Sequence, residues 1–157
     1  MIDVRQASEG DAEVLANLNR YVHELHVNHA PQLFKLVDTT AVSEWFRSML
    51  AKPSVGAWIA ESEGSPAGYV LAIVYDRPEH SFCFRRVFYE IDQIAVSPGH
   101  RRMGVARELV ARVLADAHSR GIRDVELNSW SFNVDAHEAF RALGFRPQMV
   151  RFARAVL

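Results

Sequence analysis

The chain has 157 residues, 49% of them hydrophobic and 24% charged. That length gives one ordinary domain, residues 1–157, whose core needs neither disulfides nor metals. A formal net charge of −1 and a sequence pI near 6.7 argue against long-range attraction to nucleic acid or to an anionic membrane.

Residues 2–7 alternate apolar and polar and predict a first strand. Ser8 then reads as a helix cap, with Glu9 and Asp11 in the first turn. Val14, Leu15, Leu18, Val22 and Leu25 follow at helical spacing, and Pro31 stops anything helical before it. Thr39 or Thr40 predicts the cap of a second helix. Its apolar stripe is Val42, Trp45, Phe46, Met49 and Leu50, and Pro53 and Gly56 end it.

Residues 57–60 and 68–75 predict an antiparallel hairpin around the turn 63–66. After a loop with Pro78, residues 82–96 are rich in aromatic and β-branched side chains and predict a long buried strand. Within it, Cys83 reads as a small buried hydrophobe. Ser97-Pro98-Gly99 breaks that strand. An amphipathic helix follows, with Val105, Leu109, Val110, Val113, Leu114 and Ala117 on one face and Gly121 as its stop. Residues 125–130 predict a strand. Asn133 caps a last helix carrying Ala136, Phe140 and Leu143, which Gly144 stops, and residues 145–157 supply one or two final strands. Strands and helices in this order make an α/β domain with a mixed sheet.

A single cysteine cannot close an intramolecular disulfide, so a reducing, cytoplasmic location fits. No signal-peptide pattern opens the chain and no apolar run approaches the ~18 residues of a membrane span.

The most informative stretch runs from Gln93 through Ser97-Pro98-Gly99-His100-Arg101-Arg102-Met103-Gly104-Val105-Ala106. A strand ends, the chain turns and a helix begins at a glycine. Such a helix start offers unpaired N–H groups and the positive end of the helix dipole, which together bind anions. Gly104 and Ala106 lack bulk, and Arg101, Arg102 and Arg107 add permanent charge. No G-x-x-x-x-G-K-[ST] and no G-x-G-x-x-G occurs, so the nucleotide and dinucleotide phosphate loops are excluded.

Arg101-x-x-Gly104-x-Ala106 resembles the Q/R-x-x-G-x-G/A loop of the GNAT acetyltransferase superfamily, which holds the pyrophosphate of coenzyme A. Ile94-Ala95-Val96-Ser97-Pro98 resembles the family's strand-ending L-x-V-x-P. Asn133-x-x-Ala136-x-x-Ala139-Phe140-x-x-x-Gly144-Phe145 resembles its N-x-x-A-x-x-F-Y-x-x-x-G-F segment. The resemblance implies an acyl-CoA N-acyltransferase fold whose fourth and fifth strands splay apart around acetyl-CoA as co-substrate. It implies that Ile94, Ala95, Val96, Arg101, Arg102, Met103, Gly104, Val105 and Ala106 form the cofactor site, with pantetheine pairing to the backbone of Ile94 and Val96. Asn133 would contact the cofactor as well, or simply cap its helix.

The implied reaction is transfer of acetyl to a primary amine of a small molecule or peptide by direct attack. A base must take the amine's proton; the resemblance favours Glu90, six residues before Val96 where several relatives carry a catalytic glutamate, and Asp92, on the same strand face, is the second candidate. Alternatively, one or both carboxylates pair with Arg85 or Arg86. An N–H near Ala95 or Val96 would serve the oxyanion.

The position that carries the acidic tyrosine in many relatives is Phe140 here, which has no proton to give. His137, Tyr75 or Tyr89 remain as acids, or the thiolate leaves unassisted. Phe140 also leaves open a second reading, a non-catalytic acyl-CoA-binding regulatory module. Tyr21, His23, His26, His29 and Phe34 fall in the region that lines the acceptor pocket in relatives. His26-x-x-His29 has no third ligand at a recognisable spacing, so no metal is expected. The last strands or the aromatic residues 82–89 offer surfaces for a homodimer.

Overall fold

Hydrophobic strands of period two and helices with one apolar face build a two-sided sheet in a computed structural model that describes residues 1–156. Its strands are β1 (Ile2–Gln6), β2 (Val55–Ser62), β3 (Ser65–Arg77), β4 (Arg86–Val96) and β5 (Asp124–Leu127). Its helices are α1 (Ala12–His29), α2 (Thr39–Leu50), α3 (Val105–Ser119) and α4 (Val134–Ala142). Sheet order is β1-β2-β3-β4-β5. Every pairing is antiparallel except β4 with β5, which α3 joins as a parallel crossover.

Both faces of the sheet are covered. Trp58, Ala60, Val70, Ala72, Tyr89 and Ile91 pack against Val105, Leu109, Val110 and Val113 of α3. Ala57, Ile59, Tyr69, Leu71 and Ala95 pack against Leu15 and Leu18 of α1 and Phe46 and Met49 of α2. The β2–β3 turn uses positive φ at both Glu63 (52°) and Gly64 (77°), the hairpin geometry that matches strand twist.

Several expected boundaries move. Asp38, not Thr39 or Thr40, caps α2, its carboxylate accepting from the Thr40 N–H at 3.1 Å. Gly56 lies inside β2 rather than ending α2, because pairing with β3 already begins at Val55. Leu114 is 48% exposed, since ~100° per residue carries it off the face defined by Leu109 and Val113. Cys83 is exposed, because β4 starts only at Arg86 and residues 82–85 belong to a loop. Residues 128–130 are not part of β5. The final strands expected in residues 145–157 do not form among the described residues: residues 146–156 are exposed and paired with no strand, and Pro147 removes a ladder donor. Leu157 lies outside the described residues.

One close approach positions the site. A Cβ on Gly68 of β3 would stand 2.7 Å from the Ala95 carbonyl oxygen and 3.0 Å from Val105 Cγ1. The missing side chain therefore lets the end of β4 and the start of α3 close on β3 together. Gly68→Ala is expected to lower stability by about 1–3 kcal/mol through overpacking, read by urea unfolding; an unchanged midpoint would show that this contact is slack.

Candidate active site

β4 and β5 pair over Phe88↔Asp124, Tyr89↔Val125, Glu90↔Glu126 and Ile91↔Leu127, and no further. On its other side β4 stays paired with β3 as far as Val96. Beyond Ile91, β4 therefore has a free edge. The Ser97 N–H bonds the Ala67 carbonyl at 2.8 Å. Backbone groups alternate sides along a strand, so Ala95 also turns to β3, while Ile94 and Val96 turn toward the parting. Ala95 contributes a buried side chain to the core on the α1 side.

A bulge marks the start of the parting. Leu71 lies opposite Gln93 and Ala72 opposite Ile91, which leaves Asp92 as the extra residue of β4. Asp92 thereby faces the cleft that opens between β4, β5 and α1, a cavity of about 280 Å³. Glu90, on the paired part of the strand, is half-buried and does not line that cleft.

Neither carboxylate is ion-paired among the described residues, because Arg85 holds Asp76 and Arg86 holds Glu126. Desolvation by the surrounding walls holds the Asp92 carboxyl above its ordinary value, although solvent reaches it, and the Gln93 side chain only partly offsets this. Glu90 is raised too, first by desolvation and then by the charges of Asp92 and Glu126.

At the end of β4 the chain makes a short 3-10 turn, Pro98–His100, braced by a 2.6 Å contact between Ser97 Oγ and His100 Nδ1. Arg102 (φ 62°) and Gly104 (φ 84°) then take left-handed conformations that aim the backbone into α3. The first ladder bond of α3 runs from the Glu108 N–H to the Gly104 carbonyl. Among the described residues, the six N–H groups of residues 102–107 have no backbone acceptor. They form a row of donors at the positive end of α3.

Val105 is buried and anchors this row, while Arg101, Arg102 and Met103 are exposed around it. This arrangement fits a diphosphate: small residues, open donors and guanidinium groups with no structural partner. Asn133 sits at the N-cap position of α4 yet makes no capping bond, and its side chain lines the cleft. Its expected capping role is therefore corrected to a free amide facing the parting.

The α1 wall was less legible in the sequence. Helix α1 runs through His29, so His23 and His26 stand on the helix and line the cleft. Burial first, then the charges of His23 and His29, lower the His26 pKa, which keeps its ring neutral at neutral pH. Asn19 Nδ2 donates to Tyr69 Oη (3.0 Å) and to Gln93 Oε1 (3.2 Å), and Tyr69 Oη donates to Gln93 Oε1 (2.7 Å). This network ties α1 to β3 and β4 beneath Asp92. A lone Asn on a helix and a Gln in a strand carry no local sign of it.

Phe140 lines the cleft. His137 Nε2 is engaged with the Trp130 carbonyl at 3.0 Å. Tyr89 donates its hydroxyl to Asp116 at 2.8 Å on the α3 side of the sheet. Tyr75 stacks on Phe88 at 5.5 Å, its proton held more tightly by desolvation and by Glu90 and Asp92, and it does not line the cleft.

A mixed sheet parted at one parallel pair, with an amide-lined helix start at the mouth of the parting, is the acyl-CoA N-acyltransferase fold. The chain matches the acetyltransferase (GNAT) family model over residues 20–145 and belongs to that family. It is 30% identical to human N-acetyltransferase 8 over 68% of this chain and 45% of that protein. It is 27% identical to mouse N-acetyltransferase family 8 member 3 over 82% of this chain and 52% of that one. The chain thus spans about half the length of the curated relatives it matches.

Among solved structures, a mutant of the BH1408 protein of Bacillus halodurans superposes with a TM-score of 0.93 at 21% identity, covering 99% of each chain. The aminoglycoside N-acetyltransferase AAC(6')-Iy in complex with CoA superposes with a TM-score of 0.79 at 22% identity, covering 99% of this chain and 95% of that one. Among the described residues, no helix is long and apolar enough to cross a membrane.

The raised Asp92 pKa has a consequence for stability. The folded state holds this proton more tightly than the unfolded chain does, so ionisation as pH rises costs folding free energy. At pH 7 Asp92→Asn is expected to unfold at a higher temperature than the parent. That difference closes as pH falls toward the ordinary carboxylate value of ~3.9. A lower melting temperature at pH 7 in differential scanning calorimetry would contradict the placement of Asp92.

Proposed function

We propose that the chain, acting as one domain over residues 1–157, is an acetyl-CoA-dependent N-acetyltransferase that acetylates a primary amine by direct attack. The observation that carries this reading is the parting of β4 from β5: Asp92 lines the cleft it opens, and past its free edge β4 leads into the free N–H row of residues 102–107. That row, with Arg101 and Arg102, would hold the diphosphate of the coenzyme. The free edge at Ile94 and Val96 offers amide partners to the pantetheine arm in the manner of strand addition, and Asn133 approaches from the β5 side. Bound there, acetyl-CoA supplies an activated acetyl thioester.

The chain's own groups do the rest. Asp92, directly or through a water, takes the proton of the incoming ammonium, and its raised pKa makes it a stronger base than an ordinary aspartate. Glu90 lies outside the cleft lining, its own pKa raised by desolvation and by the Asp92 charge. The N–H of Ile94 or Val96 faces the parting and is placed to stabilise the oxyanion.

The aminoglycoside enzyme that shares this fold acts on small-molecule amines, which supports the same acceptor class here. The exposed free thiol of Cys83 favours a reducing compartment such as the cytoplasm. Tail residues 146–156 and the outer edge of β5 leave room for a homodimer.

Purified protein, acetyl-CoA and a panel of amines, followed by release of free thiol, test the reading. Acetyl-CoA that binds with no thiol released by any amine would favour the non-catalytic acyl-CoA module that Phe140 leaves open. Gly104→Ala, which puts a side chain at φ 84°, is expected to weaken acetyl-CoA binding about tenfold or more by calorimetry, the size of a strained left-handed residue. Asp92→Asn is expected to lower kcat by about 100-fold or more with little change in acetyl-CoA affinity. In the parent enzyme the acid limb of kcat/KM lies above the ordinary aspartate value, because the base acts only when ionised. An Asp92→Asn variant with parental kcat would move the base elsewhere, with Glu90→Gln as the next test.

A further inference from the structure

We infer that the acceptor is a monoamine bearing an aromatic or similarly flat apolar body, held against the wall that Trp130 and His26 give to the cleft they share with Asp92. This rests on the transferase reading above and names its substrate class.

The wall is a continuous assembly of rings. His26 stacks on Phe34 with centroids 5.0 Å apart. Phe34 meets Trp130 edge-on at 5.5 Å. Trp130 lies parallel to Phe132 at 6.1 Å, and Phe132 stacks on His29 at 4.7 Å. These rings join the end of α1, the α1–α2 connection and the β5–α4 connection, and two of them, His26 and Trp130, line the cleft that the free edge of β4 also lines. Trp130 is still 46% exposed, so part of the indole is unpaired, and it lines the same cleft as His26 and Asp92. A flat apolar body would cover that face, and an adjacent ammonium gains from the π-systems before it reaches the carboxylate.

Charge points to one amine rather than several. Asp92 is the one carboxylate among the described residues that line the cleft. The other polar groups there are neutral amides, a hydroxyl and the rings of His23 and His26. A polyamine or an aminoglycoside would bring further ammonium groups into a cavity with no second carboxylate, where an unpaired charge is costly. Volume agrees, since about 280 Å³ must take the acetyl end of the thioester arm as well as the amine.

The test compares 2-phenylethylamine, n-butylamine and spermidine on the full chain. Binding is read by calorimetry with the protein saturated in coenzyme A, and kcat/KM by thiol release from acetyl-CoA. The aromatic amine is expected to bind and to turn over at least about tenfold better than either of the others, the worth of burying a ring face. Trp130→Ala is expected to bring that ratio within about threefold of unity, and Trp130→Phe to keep most of it. Trp130→Leu, which retains apolar volume without a ring, serves should the alanine variant not fold. Preference for spermidine, or an aromatic preference that survives loss of the ring, overturns the inference while leaving an active transferase. Acetyl-CoA binding with no thiol released by any amine overturns the transferase reading instead, and the calorimetric comparison still decides whether the aromatic wall recognises the amine.

Discussion

β4 and β5 share four rungs, from Phe88↔Asp124 to Ile91↔Leu127, and then separate. The rest of the site follows from where that pairing stops. A parallel sheet normally satisfies its backbone groups on both sides. Here the last four residues of β4, Gln93 to Val96, keep only their β3 partners, so a row of amides and carbonyls stays free in the middle of the fold. The bulge at Asp92 makes the separation local, bending β4 at the residue after its last rung to β5 and turning one carboxylate into the gap. The same strand then runs into the 3-10 turn and the open N–H row of α3. One strand thus supplies a carboxylate, an amide edge and the lead-in to an anion site, in register, because its middle is fixed by ten rungs to β3.

The strain of the arrangement is electrostatic rather than steric. Elsewhere the chain pairs its charges: Arg5 with Asp11 and Glu61, Arg85 with Asp76, Arg120 with Asp116. Asp11, held by Arg5, drops to a pKa of about 2. Asp92 and Glu90 shift the opposite way: desolvation raises both, the charges of Asp92 and Glu126 raise Glu90 further, and the Arg77 charge offsets only part of that. A carboxylate left uncompensated in a cleft works against folding, and such groups gather where chemistry needs them. Beside it the Asn19–Tyr69–Gln93 network ties α1 to β3 and β4 through hydrogen bonds of 3.0, 3.2 and 2.7 Å.

Local features of this site are legible in the sequence, and relational ones are not. The loop at residues 97–106 announces itself through a strand break, a glycine and two arginines within ten positions. The helix faces show in the spacing of Leu15 and Leu18, or of Leu109 and Val113. The bulge does not show, because a bulge is a mismatch between two strands and β4 alone looks regular. In the sequence Glu90 is favoured by the resemblance to relatives with a catalytic glutamate at that place, and only the bulge shows that Asp92 is the one on the cleft wall. The ring wall is hidden for the same reason: His26, Phe34 and Trp130 are far apart in the chain and meet only once α1 and the β5–α4 connection are folded. Cys83 and residues 146–156 mislead in another way. Their apolar composition fits a strand, but no strand edge in the described chain receives them.

Phe140 raises the question of how the proposed transferase would work without a tyrosine hydroxyl at that position. Tyr89 is committed to Asp116 and His137 to the Trp130 carbonyl, so neither has its proton free for a leaving group in the cleft. The two protons of the reaction are not equally difficult. A thiol near pKa ~8.5 is a tolerable leaving group as the thiolate, whereas an alkyl ammonium near ~10.4 must lose its proton before it can attack at all. The chain concentrates its resources on the second problem. It places Asp92 at the parting, where desolvation raises the affinity of its carboxylate for a proton. A module that only sensed acyl-CoA would need the N–H row and the free strand edge but would have no use for a destabilising carboxylate beside them. The presence of that carboxylate, at the one position where a bulge turns it inward, weighs for chemistry over mere binding.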